Sequence, residues 1–109
     1  GNPADGIYSM RVVNNSAGTA YAVPEDQIVP GIKLLAETEG IFTETAGGVA
    51  ISGLKHAVDS GAIKPDDLTV VYITGNGLKT QEAVESVVNP LTVKPFMGAF
   101  EEAFNQRGG

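Results

Sequence analysis

The fold is decided by residues 68–80, LTVVYITGNGLKT. The first six of these residues form a continuous apolar and β-branched run, which is typical of a strand covered on both faces in a parallel sheet. Gly75 and Gly77 then predict a turn that permits positive φ angles and a close approach to the backbone. In open α/β sheets, ligands bind beyond the carboxyl ends of the strands. We therefore expect Thr74, the last residue of this strand, to present its hydroxyl group to a ligand-binding crevice.

Outward from this strand, the sequence alternates short β-prone runs with segments of helical periodicity, the pattern of an α/β fold. Further strands are predicted at residues 19–23 and 41–43. Helices are predicted at residues 8–14, 25–39, 49–60, 81–88 and 96–104. The predicted fold class is α/β, a three-layer sandwich fragment in which a small, mostly parallel sheet is flanked by helices. Residues 1–109 are expected to form a single domain.

Three features refine the helix predictions. An interior proline removes a backbone hydrogen bond, so Pro30 predicts either a kink in the helix at 25–39 or a later start of that helix. Gly40 and Gly61 are predicted to follow the ends of helices, where glycine accepts the left-handed conformation. The helix at 49–60 is predicted to bury one apolar face, formed by Val49, Leu54, Ala57 and Val58.

Composition excludes several classes of function. The formal net charge is −6 and the seven lysine and arginine residues form no stripe, so no nucleic-acid partner is expected. With one histidine, no cysteine and dispersed carboxylates, no metal site is expected. No window is both apolar and long enough to span a bilayer, and no secretory signal is visible, so no membrane partner is expected. Because the chain begins with Gly1 instead of methionine, we expect a fragment or a processed product.

The glycine turn invites comparison with two phosphate-binding motifs. A Walker A loop requires lysine directly after glycine, and here Leu78 separates Gly77 from Lys79. The dinucleotide fingerprint requires a third glycine, and Thr80 occupies that position. Both motifs are broken, which disfavours a nucleotide-binding domain. The pattern alone leaves open that Gly75 and Gly77 form a tight turn that binds no ligand.

Three blocks of sequence resemble, in the same order, the C-terminal third of threonine synthases. These blocks are residues 1–4 (GNPA), 39–48 (EGIFTETAGG) and 73–79 (ITGNGLK). Threonine synthases are fold-type II enzymes, similar to the tryptophan synthase β subunit, and their cofactor is pyridoxal 5′-phosphate. The resemblance therefore implies this cofactor, and a complete enzyme that converts the small molecule O-phosphohomoserine, with water, to threonine and phosphate.

The resemblance also implies cofactor-binding roles for particular residues. Thr74 resembles the residue whose hydroxyl group hydrogen-bonds the pyridine nitrogen, where a neutral hydroxyl leaves that nitrogen largely unprotonated. The other residues that the resemblance implies around the ring are Gly75 and Asn76 at its edge, Glu44 and Thr45 before a helix, and Gly1 and Asn2 in a nearby loop.

No catalytic residue is expected in this chain. In the family, the lysine that forms the Schiff base lies in a Ser-x-Lys-Asp-Arg-like segment, which does not occur here, and neither does the glycine-rich loop that holds the cofactor phosphate. Lys79 matches a family position other than that lysine. His56 is expected to be a surface or boundary side chain, without a partner that would make it a catalytic base. We therefore expect the isolated chain to be inactive.

Two other functions remain open. Residues 44–48 (ETAGG) replace the Glu-Pro-Ala/Ser-type turn of many relatives, so the substrate stays open and a threonine deaminase-like enzyme is the nearest alternative. The second alternative is a non-enzymatic α/β module for oligomerisation or regulation, because sheet edges and three C-terminal phenylalanines favour self-association. A homo-oligomer and a cytoplasmic location are expected.

Overall fold

The computed structural model describes residues 3–107 of the 109-residue chain. The chain divides after Lys79 into two compact units, which are described here in turn. Two of the predicted site residues, Gly1 and Asn2, lie outside the described residues. Within the described range, no helix is long and apolar enough to cross a membrane.

The first unit begins with helix α1, Gly6–Asn15, which confirms the helix predicted at residues 8–14. None of its residues is buried. After the helix, Ala17 adopts a positive φ of 54°, and the Gly18 N–H donates a 2.9 Å hydrogen bond to the Val13 carbonyl. This bond satisfies one of the carbonyl groups that a helix end leaves without a partner.

Helix α2, Ile28–Glu39, follows a 3-10 turn at Glu25–Gln27. Pro30 is the third residue of α2, and the first four N–H groups of an α-helix have no partner within the helix. Proline therefore removes no hydrogen bond there. Of the two predicted outcomes, a kink or a later start, the structure shows the later start. Gly40 ends α2 in the left-handed conformation with φ 67°, as predicted.

Helix α3, Thr45–Asp59, begins four residues earlier than predicted. Gly47 and Gly48 belong to its first turns and are buried. A Cβ atom on Gly48 would lie 2.5 Å from the Ile28 carbonyl oxygen, and one on Gly31 would meet the backbone of Gly48. The crossing of α2 and α3 therefore depends on glycine for the close approach of the two backbones.

The core of the first unit lies between α2 and α3. Its buried apolar side chains are Ile32, Leu35, Ile51 and Ala57. Of the face predicted for α3, Ala57 is buried and Leu54 is half-buried, but Val49 and Val58 are 38% and 50% exposed. That part of the prediction is wrong because Gly48 faces α2 and Gly47 faces Thr43, so the buried side of α3 is not the side that was predicted.

None of the three predicted strands forms within the described residues. Residues 19–23 and 68–73 have no strand assignment, and 41–43 contributes only an isolated antiparallel bridge between Thr43 and Asn76. The predicted parallel sheet is therefore absent from the part of the chain that the structure describes.

The run at 68–73 illustrates the physical reason. Leu68, Val70 and Tyr72 are 98%, 73% and 81% exposed. The β propensity of such residues expresses how well they pack against neighbouring strands and covering layers, not an intrinsic backbone preference. The run at 68–73 has the sequence of a strand covered on both faces, but within residues 3–79 it forms no β-ladder, and only Val71 and Ile73 are half-buried.

The second unit, residues 80–107, is helical. It contains a 3-10 turn at Gln81–Ala83, helix α4 at Glu85–Val88 and helix α5 at Met97–Gln106. The helix predicted at 81–88 is thus divided into two short pieces, whereas α5 confirms the terminal helix predicted at 96–104. Within α5, the Phe100 and Phe104 rings stack with centroids 5.8 Å apart, and both side chains are exposed.

Candidate functional site

Two loops of the first unit meet before α3, and we call the pair the loop junction, formed by residues 42–45 and 74–79. The Glu44 N–H donates a hydrogen bond to the Gly75 carbonyl at 3.2 Å, and the Gly77 N–H donates one to the Phe42 carbonyl at 3.0 Å. These bonds frame the antiparallel bridge between Thr43 and Asn76. The structure thus brings together two of the three sequence blocks that resemble threonine synthases.

Thr43 is the buried centre of the loop junction. Its side chain is fully buried, and its hydroxyl group donates a hydrogen bond to the Gly75 carbonyl at 3.0 Å. The same carbonyl accepts the Glu44 N–H, so both of its lone pairs are used. Thr43 is not among the residues predicted for the site from the sequence. The available signal was a polar residue at the end of the apolar run 41–43, inside one of the resembling blocks.

The glycines of the loop junction are needed for close packing. A Cβ atom on Gly75 would fall on the Glu44 carboxylate, and one on Gly77 would lie 2.5 Å from two atoms of the Phe42 ring. Neither glycine adopts a φ in the left-handed region. The positive φ that glycine permits is therefore not adopted at either position, and the approach of a ligand to this backbone stays a prediction. The close approach that the structure shows is made by the protein itself. The groups that approach are side chains of the other loop.

Glu44 and Lys79 form an ion pair across the loop junction. The Lys79 Nζ atom lies 3.3 Å from Glu44 Oε2, and the two side chains are 65% and 17% exposed. Glu44 is also the N-cap residue of α3, so its carboxylate lies near the positive end of the helix dipole. A half-buried carboxylate therefore has two sources of positive charge beside it.

The remaining predicted residues surround this contact. Thr74 and Asn76 are exposed, and Thr45 is the half-buried first residue of α3. The Asn76 Oδ1 atom accepts the Leu78 N–H at 2.9 Å, an Asx-type turn that fixes the side chain. Its amide nitrogen is then the group available for donation to a ligand. The structure thus brings together the described members of the predicted site, since Gly75 and Glu44 are the pair in contact above.

A separate cleft of about 820 Å³ lies between residues 20–24, α2 and α3. On its wall, the Tyr21 and His56 rings meet edge to face with centroids 4.8 Å apart. Its lining contains none of the residues predicted to bind the cofactor. His56 is exposed, as expected for a surface side chain.

Part of the loop junction lies in a stretch of sequence that matches a known protein family. The family of pyridoxal-phosphate dependent enzymes matches residues 1–75, which include the first loop of the junction and the start of the second. The chain belongs to this family. Membership confirms the resemblance and the predicted cofactor, and it supports the α/β fold class at the level of the family.

Curated relatives are named threonine synthase. The chain is 34% identical over 107 residues to the protein from Methanocaldococcus jannaschii, covering 97% of this chain and 26% of the relative. It is 36% identical over 89 residues to that of Halalkalibacterium halodurans, covering 82% and 25%. It is 38% identical over 79 residues to that of Bacillus sp. strain ULM1, covering 72% and 22%. The chain spans about a quarter of the length of these relatives.

The groups at the loop junction fit one part of this family's cofactor. Thr74, through its hydroxyl group, and Asn76, through its amide nitrogen, offer neutral hydrogen-bond donors on the exposed side of a closely packed turn. Such donors suit a heteroaromatic ring better than a phosphate group, which favours lysine, arginine or several converging N–H groups. The single lysine of the junction, Lys79, is engaged with Glu44.

Proposed function

We propose that this chain is the C-terminal part of a threonine synthase, which uses pyridoxal 5′-phosphate to convert O-phosphohomoserine and water to threonine and phosphate. The observation that carries the proposal is the loop junction itself. Two segments that are far apart in the sequence and that both resemble threonine synthases make reciprocal backbone hydrogen bonds. The relatives named threonine synthase, with identities of 34–38%, support the same assignment.

In this proposal, the loop junction receives the ring of the cofactor. The Thr74 hydroxyl bonds the pyridine nitrogen, and Gly75 and Asn76 line the edge of the ring. Glu44 and Thr45 approach from the start of α3, and Gly1 and Asn2 complete the set. When bound, the cofactor supplies an electron sink for the reacting carbon. The contribution of this chain is to orient the ring and to set the electronic character of its nitrogen through a neutral partner.

The same proposal accounts for the exposed apolar run at 68–73. In the complete enzyme, this run forms a strand of a mostly parallel sheet with segments outside residues 1–109, and the whole chain belongs to one domain. The lysine that attaches the cofactor and the groups that hold the two phosphates are supplied by those other segments. The isolated chain is therefore inactive, and the complete enzyme is a cytoplasmic homo-oligomer.

The test compares the complete protein with the 109-residue chain. The complete protein is expected to release phosphate from O-phosphohomoserine and to show the absorbance of bound pyridoxal phosphate, whereas the isolated chain does neither. Conversion of threonine to a 2-oxo acid, without phosphate release, would identify a deaminase-like enzyme instead. A complete protein that forms a stable oligomer but neither binds the cofactor nor turns over either substrate would refute the proposal in favour of a non-enzymatic module.

A matched pair of variants tests the role of Thr74. Thr74→Val removes the hydroxyl at nearly constant volume and is expected to lower kcat/KM about tenfold, the loss that corresponds to one hydrogen bond. Thr74→Ser keeps the hydroxyl and is expected to retain most of the activity. Equal losses in the two variants would mean that the hydroxyl group is not the functional feature.

A further inference from the structure

Two kinds of contact join the two loops of the junction, namely hydrogen bonds and a side-chain ion pair. The backbones are joined by the reciprocal hydrogen bonds of Glu44 and Gly77, and the Thr43 hydroxyl adds a buried third bond. None of these contacts involves the Glu44 side chain. Its carboxylate lies over Gly75, and the contact that holds it there from the opposite loop is the 3.3 Å ion pair with Lys79.

Lys79 can hold the Glu44 carboxylate without taking part in the hydrogen bonds between the two loops. It is the last residue of the 3-10 turn Gly77–Lys79, and its N–H donates to the Asn76 carbonyl at 3.1 Å. This turn directs its side chain back towards the first loop. Because the Lys79 side chain is 65% exposed, the pair contributes little to global stability. Its removal would instead free the Glu44 side chain to rotate away from Gly75, a movement that the three other bonds do not oppose.

We propose that Lys79 is a positioning residue, which holds the Glu44 carboxylate over Gly75 at the edge of the cofactor ring. This inference rests on the proposed function of the junction. Lys79 thereby acts through Glu44 and forms no bond to the cofactor or the substrate. Its role follows from its charge and its reach, so arginine is expected to replace it, whereas an uncharged side chain of similar length is not.

The experiment uses the complete protein loaded with pyridoxal phosphate. Lys79→Met is expected to change the emission spectrum of the bound cofactor and to lower kcat about fivefold while KM for O-phosphohomoserine changes less than about twofold. Lys79→Arg is expected to restore both. The matched control is Lys33→Met, since Lys33 forms a comparably exposed ion pair with Glu37, in which the side chains are 57% and 61% exposed. This control is expected to leave both readouts unchanged.

A second variant tests whether Lys79 acts through Glu44. The effects of Lys79→Met and Glu44→Gln on kcat are expected to be non-additive, because either change releases the same side chain. Additive effects, an unchanged emission spectrum in Lys79→Met, or an equal response in Lys33→Met would each overturn the proposal.

The role of Lys79 in holding Glu44 can be tested even if the proposed function is wrong. If the wild-type protein binds no pyridoxal phosphate, the proposed function fails, and the position of Glu44 is read from the Gly75 amide resonance. Lys79→Met is expected to shift that resonance, and Lys33→Met is expected to leave it in place. An unshifted Gly75 amide in Lys79→Met would then show that the lysine does not hold the carboxylate there.

Discussion

Two glycines of α3 are expected to respond in opposite directions to the same substitution. A Cβ atom on Gly53 would have the Val23 Cγ2 atom as its nearest neighbour at 3.8 Å, an ordinary contact. A Cβ atom on Gly48 would lie 2.5 Å from the Ile28 carbonyl oxygen and 2.7 Å from Ile32 Cγ1. Gly53→Ala should therefore stabilise the protein through helix propensity, and Gly48→Ala should destabilise it by forcing α2 and α3 apart.

The magnitudes follow from these contacts. Replacing a glycine inside a helix by alanine gains about 1 kcal/mol of stability. To bring the Gly48→Ala contact from 2.5 Å to the 3.4 Å of an ordinary contact, the Ile28 backbone must move by about 0.9 Å. Because backbone cannot rotate away as a side chain can, we assign this overpacking about 3 kcal/mol, the upper end of the usual range. The net loss for Gly48→Ala is then about 2 kcal/mol.

The assay is urea-induced unfolding of the chain, followed by circular dichroism. With an m-value of about 1.5 kcal/mol/M, the midpoint should rise by ~0.7 M in Gly53→Ala and fall by ~1.3 M in Gly48→Ala. Both variants change the same residue type in the same helix, so their difference isolates the close approach. Midpoints that move in the same direction would refute the claim that α2 and α3 meet at Gly48.

Three further changes test separate features. Thr43→Val should cost about 1 kcal/mol in urea unfolding, because it removes one hydrogen bond while the Gly75 carbonyl keeps the Glu44 N–H; an unchanged midpoint would contradict this. Gly40→Ala should also cost about 1 kcal/mol, owing to its φ of 67°, since nothing lies near an added Cβ; Gly40→Asn should cost less. Val70→Lys should be neutral within about 0.5 kcal/mol in the isolated chain, where Val70 is exposed, but should destabilise the complete enzyme by about 3 kcal/mol. Equal effects of Val70→Lys in both would contradict the proposed sheet.

The helices were predictable because their signals are local. The apolar spacing of residues 28–36 and the glycines that follow α2 and α3 act within a few turns. Gly40 and Gly61 both adopt positive φ angles, 67° and 74°, where the sequence placed the ends of α2 and α3. The start of α3 was missed because Gly47 and Gly48 are poor helix formers. Gly48 lies against α2 and Gly47 lies against the Thr43 side chain, so the place of both glycines in the helix is a tertiary effect.

The two loops could be singled out from the sequence, but their contacts with each other could not, and the cofactor-binding roles of their residues stay predictions. The resemblance identified the two loops, and the structure brings them together through backbone hydrogen bonds. The only sequence signal for Thr43 is its place at the end of the run 41–43, and the ion pair of Lys79 with Glu44 has none. The hydrogen bond of Thr43 to Gly75 and this ion pair each join residues more than thirty positions apart. Long-range pairs of this kind depend on how the loops fold back, which no local pattern encodes.

The loop junction and the adjacent apolar run at 68–73 differ in whether they need other segments to cover them. The loop junction is held by contacts between residues 42–44 and 75–79, which pack the two loops together around Gly75. The adjacent run at 68–73 is apolar and exposed, so it gains stability only when other strands and helices cover it. Thr74 joins these parts, since it ends the run and opens the junction. Under the proposed function, covering the run would fix the position of the Thr74 hydroxyl relative to the rest of the enzyme, so assembly of the proposed sheet and orientation of the cofactor ring would depend on the same segment.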